Sequence, residues 1–181
     1  MKFDDLMIDL ETMGMPPAGA IVGLGACFFD LQTCTIGPTF YRAVNLATAV
    51  RDGGTVTPAT IMWWMGQSQE ARDAVRFNAC DIKVALTEFC EFIAEHSDDK
   101  SVRPWGNASS FDLTLLTGAC SRSSVKVPWH YTNERCFRTV RSMYPDVVYN
   151  PDDKGKGAHN ALEDAVFQAE HLFKIKKRNI K

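Results

Sequence analysis

Residues 6 to 12 read Leu6-Met7-Ile8-Asp9-Leu10-Glu11-Thr12, an apolar run that closes on two carboxylates. The run has the make-up of a buried strand, and residues two apart on a strand point to the same face. Leu6, Ile8 and Leu10 therefore share one face, and Met7, Asp9 and Glu11 share the other. Two like charges side by side on an otherwise hydrophobic strand need a neutralising partner. A divalent cation is the natural one, because hard carboxylate oxygens suit Mg²⁺ or Mn²⁺ and a strand end aims them rigidly. The competing reading, an edge strand with one wet face, is one that D-x-E alone does not exclude.

Composition narrows the setting. The chain has 181 residues, 45% hydrophobic and 23% charged, which predicts one globular domain over residues 1–181 with a sizeable core. No apolar run approaches the roughly 18 residues of a membrane span, and Ala20 to Phe29, the longest, reads as a strand. The start, MKFDD, has acids where a secretory signal has a basic and then an apolar segment, so a cytoplasmic protein is expected. Cys27, Cys34, Cys80, Cys90, Cys120 and Cys136 lie far apart without a C-x-x-C or zinc-type spacing, and read as reduced, mostly core residues. The net charge of -2 excludes no function class: a protein gripping long duplex by electrostatics alone is usually basic, but bound divalent ions would supply positive charge locally. The basic tail, KIKKRNIK, reads as a solvated helix end.

Outward from the first strand, MGMPPAG breaks regular structure. Ala20 to Asp30 reads as a doubly covered strand in which Gly23 and Gly25 admit a close backbone or ligand. Thr35 to Val44 reads as a third strand, with Pro38 marking an irregular edge, and the short links predict an antiparallel meander. From Thr57 the period changes: Thr57 is a candidate N-cap with Pro58 at the first helical position, and Ile61, Trp64 and Met65 a candidate apolar face. A second helix is expected from about Ser68. A third is expected from Asp81, with Ile82, Ala85, Leu86, Phe89 and Ile93 at helical spacing. Asp98 to Lys100 is a polar loop.

A short strand ending near Trp105 and Gly106 then runs through a small-residue turn into a helix starting near Ser110. Asp112 falls in its first turn, where the helix dipole favours a carboxylate and where open α/β sheets place ligands. Val127 to Tyr131 reads as a short fifth strand, Glu134 to Met143 as a helix, and Tyr144 to Gly157 as a loop. The last helix carries a stripe of Leu162, Ala165, Val166, Ala169, Leu172 and Phe173. At its start Asn160 and Glu163 have capping-box spacing, which puts His159 and Asp164 at the two positions that meet in a hydrophobic staple. Those two side chains are thus expected to be close.

D-x-E (Asp9, Glu11), N-x-x-x-F-D (Asn107, Phe111, Asp112) and H-x-x-x-x-D (His159, Asp164) together resemble the three motifs of the DEDD superfamily of 3′-to-5′ exonucleases in its histidine subtype. Order and spacing match over nearly the whole chain. DLETMG, TIMWWMGQSQEAR, WGNASSFD and HNALEDA look most like the phage and bacterial branch that includes the carboxy-terminal nuclease of exodeoxyribonuclease VIII. NASSFD has one residue more between Asn and Phe-Asp than many proofreading relatives, which loosens the role of Asn107 but not of Asp112. Asn160 stands where the tyrosine subtype would need a Tyr.

The resemblance implies a ribonuclease H-like α/β fold, a mixed five-stranded sheet flanked by helices. It implies Asp9, Glu11, Asp112 and Asp164 as ligands of two Mg²⁺ or Mn²⁺ ions about 3.5 to 4 Å apart, and His159 as general base. Asp9 would bridge both ions, Glu11 and Asp164 would serve the one nearer the nucleophile, and Asp112 the second. The expected substrate is the 3′ end of single-stranded DNA or RNA, cut to nucleoside 5′-monophosphates. Thr12, Met13, Asn107, Phe111, Trp64 and Gln67 are candidate substrate contacts, Phe111 and Trp64 by stacking. Adjacent helical residues point about 100° apart, so one of Trp63 and Trp64 belongs to the core. Histidine-subtype relatives often pair, which makes a homodimer an expectation of the resemblance. The rival is a non-catalytic nucleic-acid binder or adaptor on the same fold.

Overall fold

The computed structural model describes residues 2–98, 100–150 and 159–179. Strands β1 (Asp5–Thr12), β2 (Ile21–Asp30), β3 (Thr35–Ala43), β4 (Arg103–Gly106) and β5 (Arg135–Cys136) form one mixed sheet in the order β3-β2-β1-β4-β5. The first three make the expected antiparallel meander. β4 runs parallel to β1, and β5 parallel to β4. The helices are α1 (Leu46–Arg51), α2 (Pro58–Met65), α3 (Gln69–Ala74), α4 (Ile82–His96), α5 (Asp112–Arg122), α6 (Phe137–Ser142) and α7 (Ala161–Asn179). β1 is central and buried at every position, so its acids do not belong to a wet edge. The edges are β3, which carries Pro38, and β5.

The period-2 alternation of β1 divides the core into two layers. Leu6, Ile8 and Leu10 pack with Ile82, Leu86, Phe89 and Ile93 of α4 and Leu113 and Leu116 of α5. Met7 faces the other side, with Phe29, Trp105, Phe137 and Ala165, Ala169, Leu172 and Phe173 of α7. Each fully buried Leu or Phe contributes roughly 1.5–3 kcal/mol. The start of β1 is pinned to β4 by Asp5, which takes Arg103 in two bonds (Nε 2.9 Å, Nη2 2.7 Å) and the Trp105 indole N–H at 2.8 Å. This lock was not legible in the sequence.

Several expectations need correction. The fifth strand is Arg135–Cys136, not Val127 to Tyr131, and the following helix is Phe137–Ser142 rather than Glu134 to Met143. The reason is that Trp129 buries in the α4/α5 layer and the Asn133 amide ties to the carbonyls of Lys100 and Val102, so pairing with β4 begins only at Arg135. Of the apolar face expected for α2, only Trp64 is buried, while Ile61 and Met65 are exposed. Helix α1, capped by Asn45, was not anticipated, being too short for periodicity to reveal. The loop expected over 144–157 lies outside the described residues from 151 on, as does Asp99 of the polar loop. Among the described residues no helix is long and apolar enough to cross a membrane, and the cysteines are free.

Gly25 decides where α7 begins. It pairs with Asp9 across β1 and β2, and a Cβ on it would lie 2.2 Å from the backbone of Ala161 and Leu162. Only a glycine lets the helix start rest on the sheet beside Asp9. Gly25→Ala is expected to force α7 off the sheet and to cost about 3 kcal/mol or more, as overpacking a rigid backbone contact does; urea unfolding measures it, and a loss below about 0.5 kcal/mol would contradict the contact.

Candidate active site

Asp9 and Glu11 leave the central strand near its carboxyl end, where the pairing with β2 shifts register between Glu11 and Thr12. Such a bulge re-aims side chains at a strand end. Asp112 arrives from the neighbouring strand-to-helix turn. Gly106, in register with Ile8, leaves room for it: a Cβ there would be 3.0 Å from the Asp112 Cβ. Asp112 Oδ2 also accepts the Ala108 N–H at 3.2 Å, which closes the turn.

Among the described residues the third segment forms the Asn160 half of its expected capping box and not the return bond from Glu163. Asn160 Oδ1 accepts the N–H groups of Leu162 (3.1 Å) and Glu163 (3.3 Å), while Glu163 itself stands exposed. His159 lies just before the cap with φ at +66°, a left-handed conformation that non-glycine residues adopt mainly at constrained sites. It turns toward Asp164, and one ligand atom from each of Glu11, His159 and Asp164 lies within 4.8 Å of the others. Bringing these three together is the arrangement expected for them.

The cluster is short of positive charge. Burial pushes the Asp9 carboxyl well above the usual range, and Asp112, Glu11 and Asp164 push it further, while a hydrogen bond from Gln168 opposes them. Burial also lifts Asp112 to about 6, against backbone N–H groups that pull it down. Buried carboxylates gathered in one place are the donor set of a hard divalent cation, so the residues fit Mg²⁺ or Mn²⁺.

Beside the acids lies a hollow of ≈ 410 Å³ walled by Glu11, Thr12, Met15, Thr60, Trp63 and Phe111. Two hollows of similar size, ≈ 480 and ≈ 450 Å³, surround Arg103 and Trp129 instead, and in the first Asp5 is already neutralised by Arg103. Thr12 and Phe111 line the acidic-end cleft as expected. Trp64 does not: its indole is buried with Val22, Ala71 and Val75 and donates to the Thr12 carbonyl at 2.9 Å. The exposed Trp63 takes the cleft position and meets the His159 ring edge-to-face at 4.8 Å between centroids. Met13 packs inward, leaving the cleft to Met15. Gln67 returns its amide to the Trp63 carbonyl and does not line the cleft. Asn107 is no cleft wall either; its Oδ1 is buried without a hydrogen-bond partner among the described residues, and its backbone carbonyl takes the Arg138 N–H.

Two residues near the acids escaped sequence reasoning. Gln168 donates to Asp9 Oδ1 at 2.7 Å, and its position one turn beyond Asp164 was the available signal. Tyr149 feels Asp164 and Asp9: burial and then their charges push its phenol to about 12, and the Arg141 guanidinium lies 4.6 Å from its ring centre. No spacing rule links Tyr149 to the motifs.

A carboxyl whose pKa is raised by folding binds more protons folded than unfolded, so its contribution to stability is present at low pH and lost as pH climbs through the raised value. In EDTA the melting temperature is therefore expected to decline between about pH 4 and 7, Asp112 accounting for on the order of 3 kcal/mol, with a shallower decline in Asp112→Asn and recovery on adding Mg²⁺ at neutral pH. Equal slopes in both proteins would contradict this. The two tryptophans should separate cleanly: Trp63→Ala raises KM for an oligonucleotide with little change in stability, whereas Trp64→Ala costs about 3–5 kcal/mol of folding free energy.

Known proteins share this architecture. E. coli exonuclease I, in a zinc-bound complex with single-stranded DNA, superposes with a TM-score of 0.70 at 15% identity over 100% of this chain and 42% of that one. The nuclease domain of 3′hExo, a DEDDh family member bound to rAMP, gives a TM-score of 0.59 at 14% identity over 96% of this chain and 92% of that one. Both likenesses identify the fold as ribonuclease H-like. The exodeoxyribonuclease of Enterobacteria phage T4 is 28% identical over 122 residues, 62% of this chain and 53% of that protein, so the match spans about half the length of this curated relative. The model of the 3′-5′ exoribonuclease Rv2179c-like domain matches residues 4–176. With the acids and histidine of all three motifs in one place, the chain belongs to that family of DEDD-type 3′-5′ exonuclease domains.

Proposed function

We propose that residues 1–181 act as one exonuclease domain that removes nucleotides from the 3′ end of single-stranded DNA or RNA with the help of two Mg²⁺ or Mn²⁺ ions. The observation that carries this reading is the convergence of Glu11, His159 and Asp164 within 4.8 Å, next to buried Asp9 and Asp112, in a family of such nucleases. Asp9, Glu11, Asp112 and Asp164 hold the ions. When bound, these supply Lewis-acid polarisation of the phosphate and acidify a water.

His159 takes the proton of the attacking water, as an imidazole within reach of two carboxylates is suited to do. The water oxygen bonds to phosphorus and the bond to the 3′ oxygen of the preceding nucleotide breaks. That oxygen takes up a proton, and a nucleoside 5′-monophosphate leaves. Trp63, Met15 and Phe111 receive the terminal base, where aromatic stacking is worth about 1–3 kcal/mol. The closeness of the Trp63 and His159 rings joins the base pocket to the proton acceptor.

The test is digestion of matched 5′-labelled single-stranded DNA and RNA with Mg²⁺ or with EDTA. Stepwise shortening from the 3′ end, abolished by EDTA and lost by at least about a hundredfold in His159→Ala, the range of general-base contributions, supports the reading, and the faster substrate identifies the preferred sugar. Binding without any shortening would favour the adaptor.

A further inference from the structure

We propose that Gln168 is a positioning residue that fixes the Asp9 carboxylate for cation binding. The inference rests on the assignment of Asp9 as a cation ligand. Gln168 Nε2 donates to Asp9 Oδ1 at 2.7 Å, and the amide side chain is 1% exposed. It sits one turn after Asp164 on α7, so a single helix carries one acid of the cluster and the donor that orients another.

The orientation of the amide is fixed by chemistry. A flipped amide would set its carbonyl oxygen against a carboxylate oxygen, which repels. In the observed orientation Oε1 is buried and has no hydrogen-bond partner among the described residues. A buried unpaired carbonyl is destabilising, and the neighbours of Gln168 on this face of α7, Ala165, Ala169 and Leu172, are apolar core residues. An apolar side chain of the same size would fit them better. What the amide adds is a bond to the buried carboxylate, and it does so without a charge. A Lys or Arg there would also hold Asp9 ionised but would cancel the negative charge that a cation needs. The neutral donor holds one carboxylate oxygen of Asp9 in place and leaves the remaining lone pairs for a metal.

The experiment measures Mn²⁺ binding to the nucleic-acid-free protein by electron paramagnetic resonance in wild type, Gln168→Met, Gln168→Leu and Asp9→Asn, with thermal unfolding of each in EDTA and in Mn²⁺. Wild type binds and Asp9→Asn loses binding if the assignment of Asp9 holds. Both Gln168 variants should then bind Mn²⁺ about tenfold more weakly or worse, as the loss of a hydrogen bond to a charged group implies. The Mn²⁺-induced rise in melting temperature should be smaller in both variants than in wild type. Their activity should recover as Mg²⁺ is raised, so the change falls on the half-saturating metal concentration rather than on kcat. Binding within twofold of wild type in both variants overturns the role of Gln168 and leaves the assignment of Asp9 standing. Loss of thermal stability in EDTA with unchanged Mn²⁺ affinity assigns Gln168 to the core alone, which also overturns it. A wild-type protein that binds no Mn²⁺ overturns the metal site itself.

Discussion

Like charges held together in a buried place are the constraint on which this structure turns. Glu11 and Asp164 approach within 4.8 Å beside Asp9 and Asp112. Two full charges at that separation repel by roughly 3 kcal/mol at an effective dielectric near 20. The protein holds the cluster by raising carboxyl pKa values and by fastening the surrounding backbone. Stability given up at the acids is recovered in the two apolar layers that clamp β1 from both faces.

Three distant stretches converge because each ends or begins near the carboxyl end of the central strand β1. β1 delivers Asp9 and Glu11 at its carboxyl end, the turn after β4 delivers Asp112, and α7 starts on β2 over Gly25. The missing side chains at Gly25 and Gly106 bring α7 and Asp112 in close. At the opposite end of β1, the Asp5 pairing with Arg103 and Trp105 fixes the register between β1 and β4. A slip of one residue there would turn Asp9 and Glu11 to the wrong face. The acids of the site therefore depend on an ion pair several residues away that touches none of them.

On the cleft side, neighbouring tryptophans divide two tasks. Trp64 anchors α2 by burying its ring and bonding the Thr12 carbonyl, and so ties the helix to the strand end that carries Glu11. Trp63 is left facing the cleft against His159. A short helix holding one indole inside and one outside links the wall of the hollow to the imidazole at the acids.

The three motifs were legible as a family resemblance, whereas the meander, the shared face of Asp9 and Glu11, and the meeting of His159 with Asp164 were legible from residue spacing, because they follow from local periodicity and capping geometry. The α4 stripe, Ile82, Ala85, Leu86, Phe89 and Ile93, was legible for the same reason and is buried throughout. The fifth strand was misplaced because its start is set by Trp129 and Asn133 reaching partners far away in the chain. Which tryptophan meets the cleft, the exchange of Met13 for Met15, the Asp5 pairing and the bond from Gln168 to Asp9 were likewise decided only by tertiary structure. Each depends on how one element lies against another, and spacing within a single element carries no information about that.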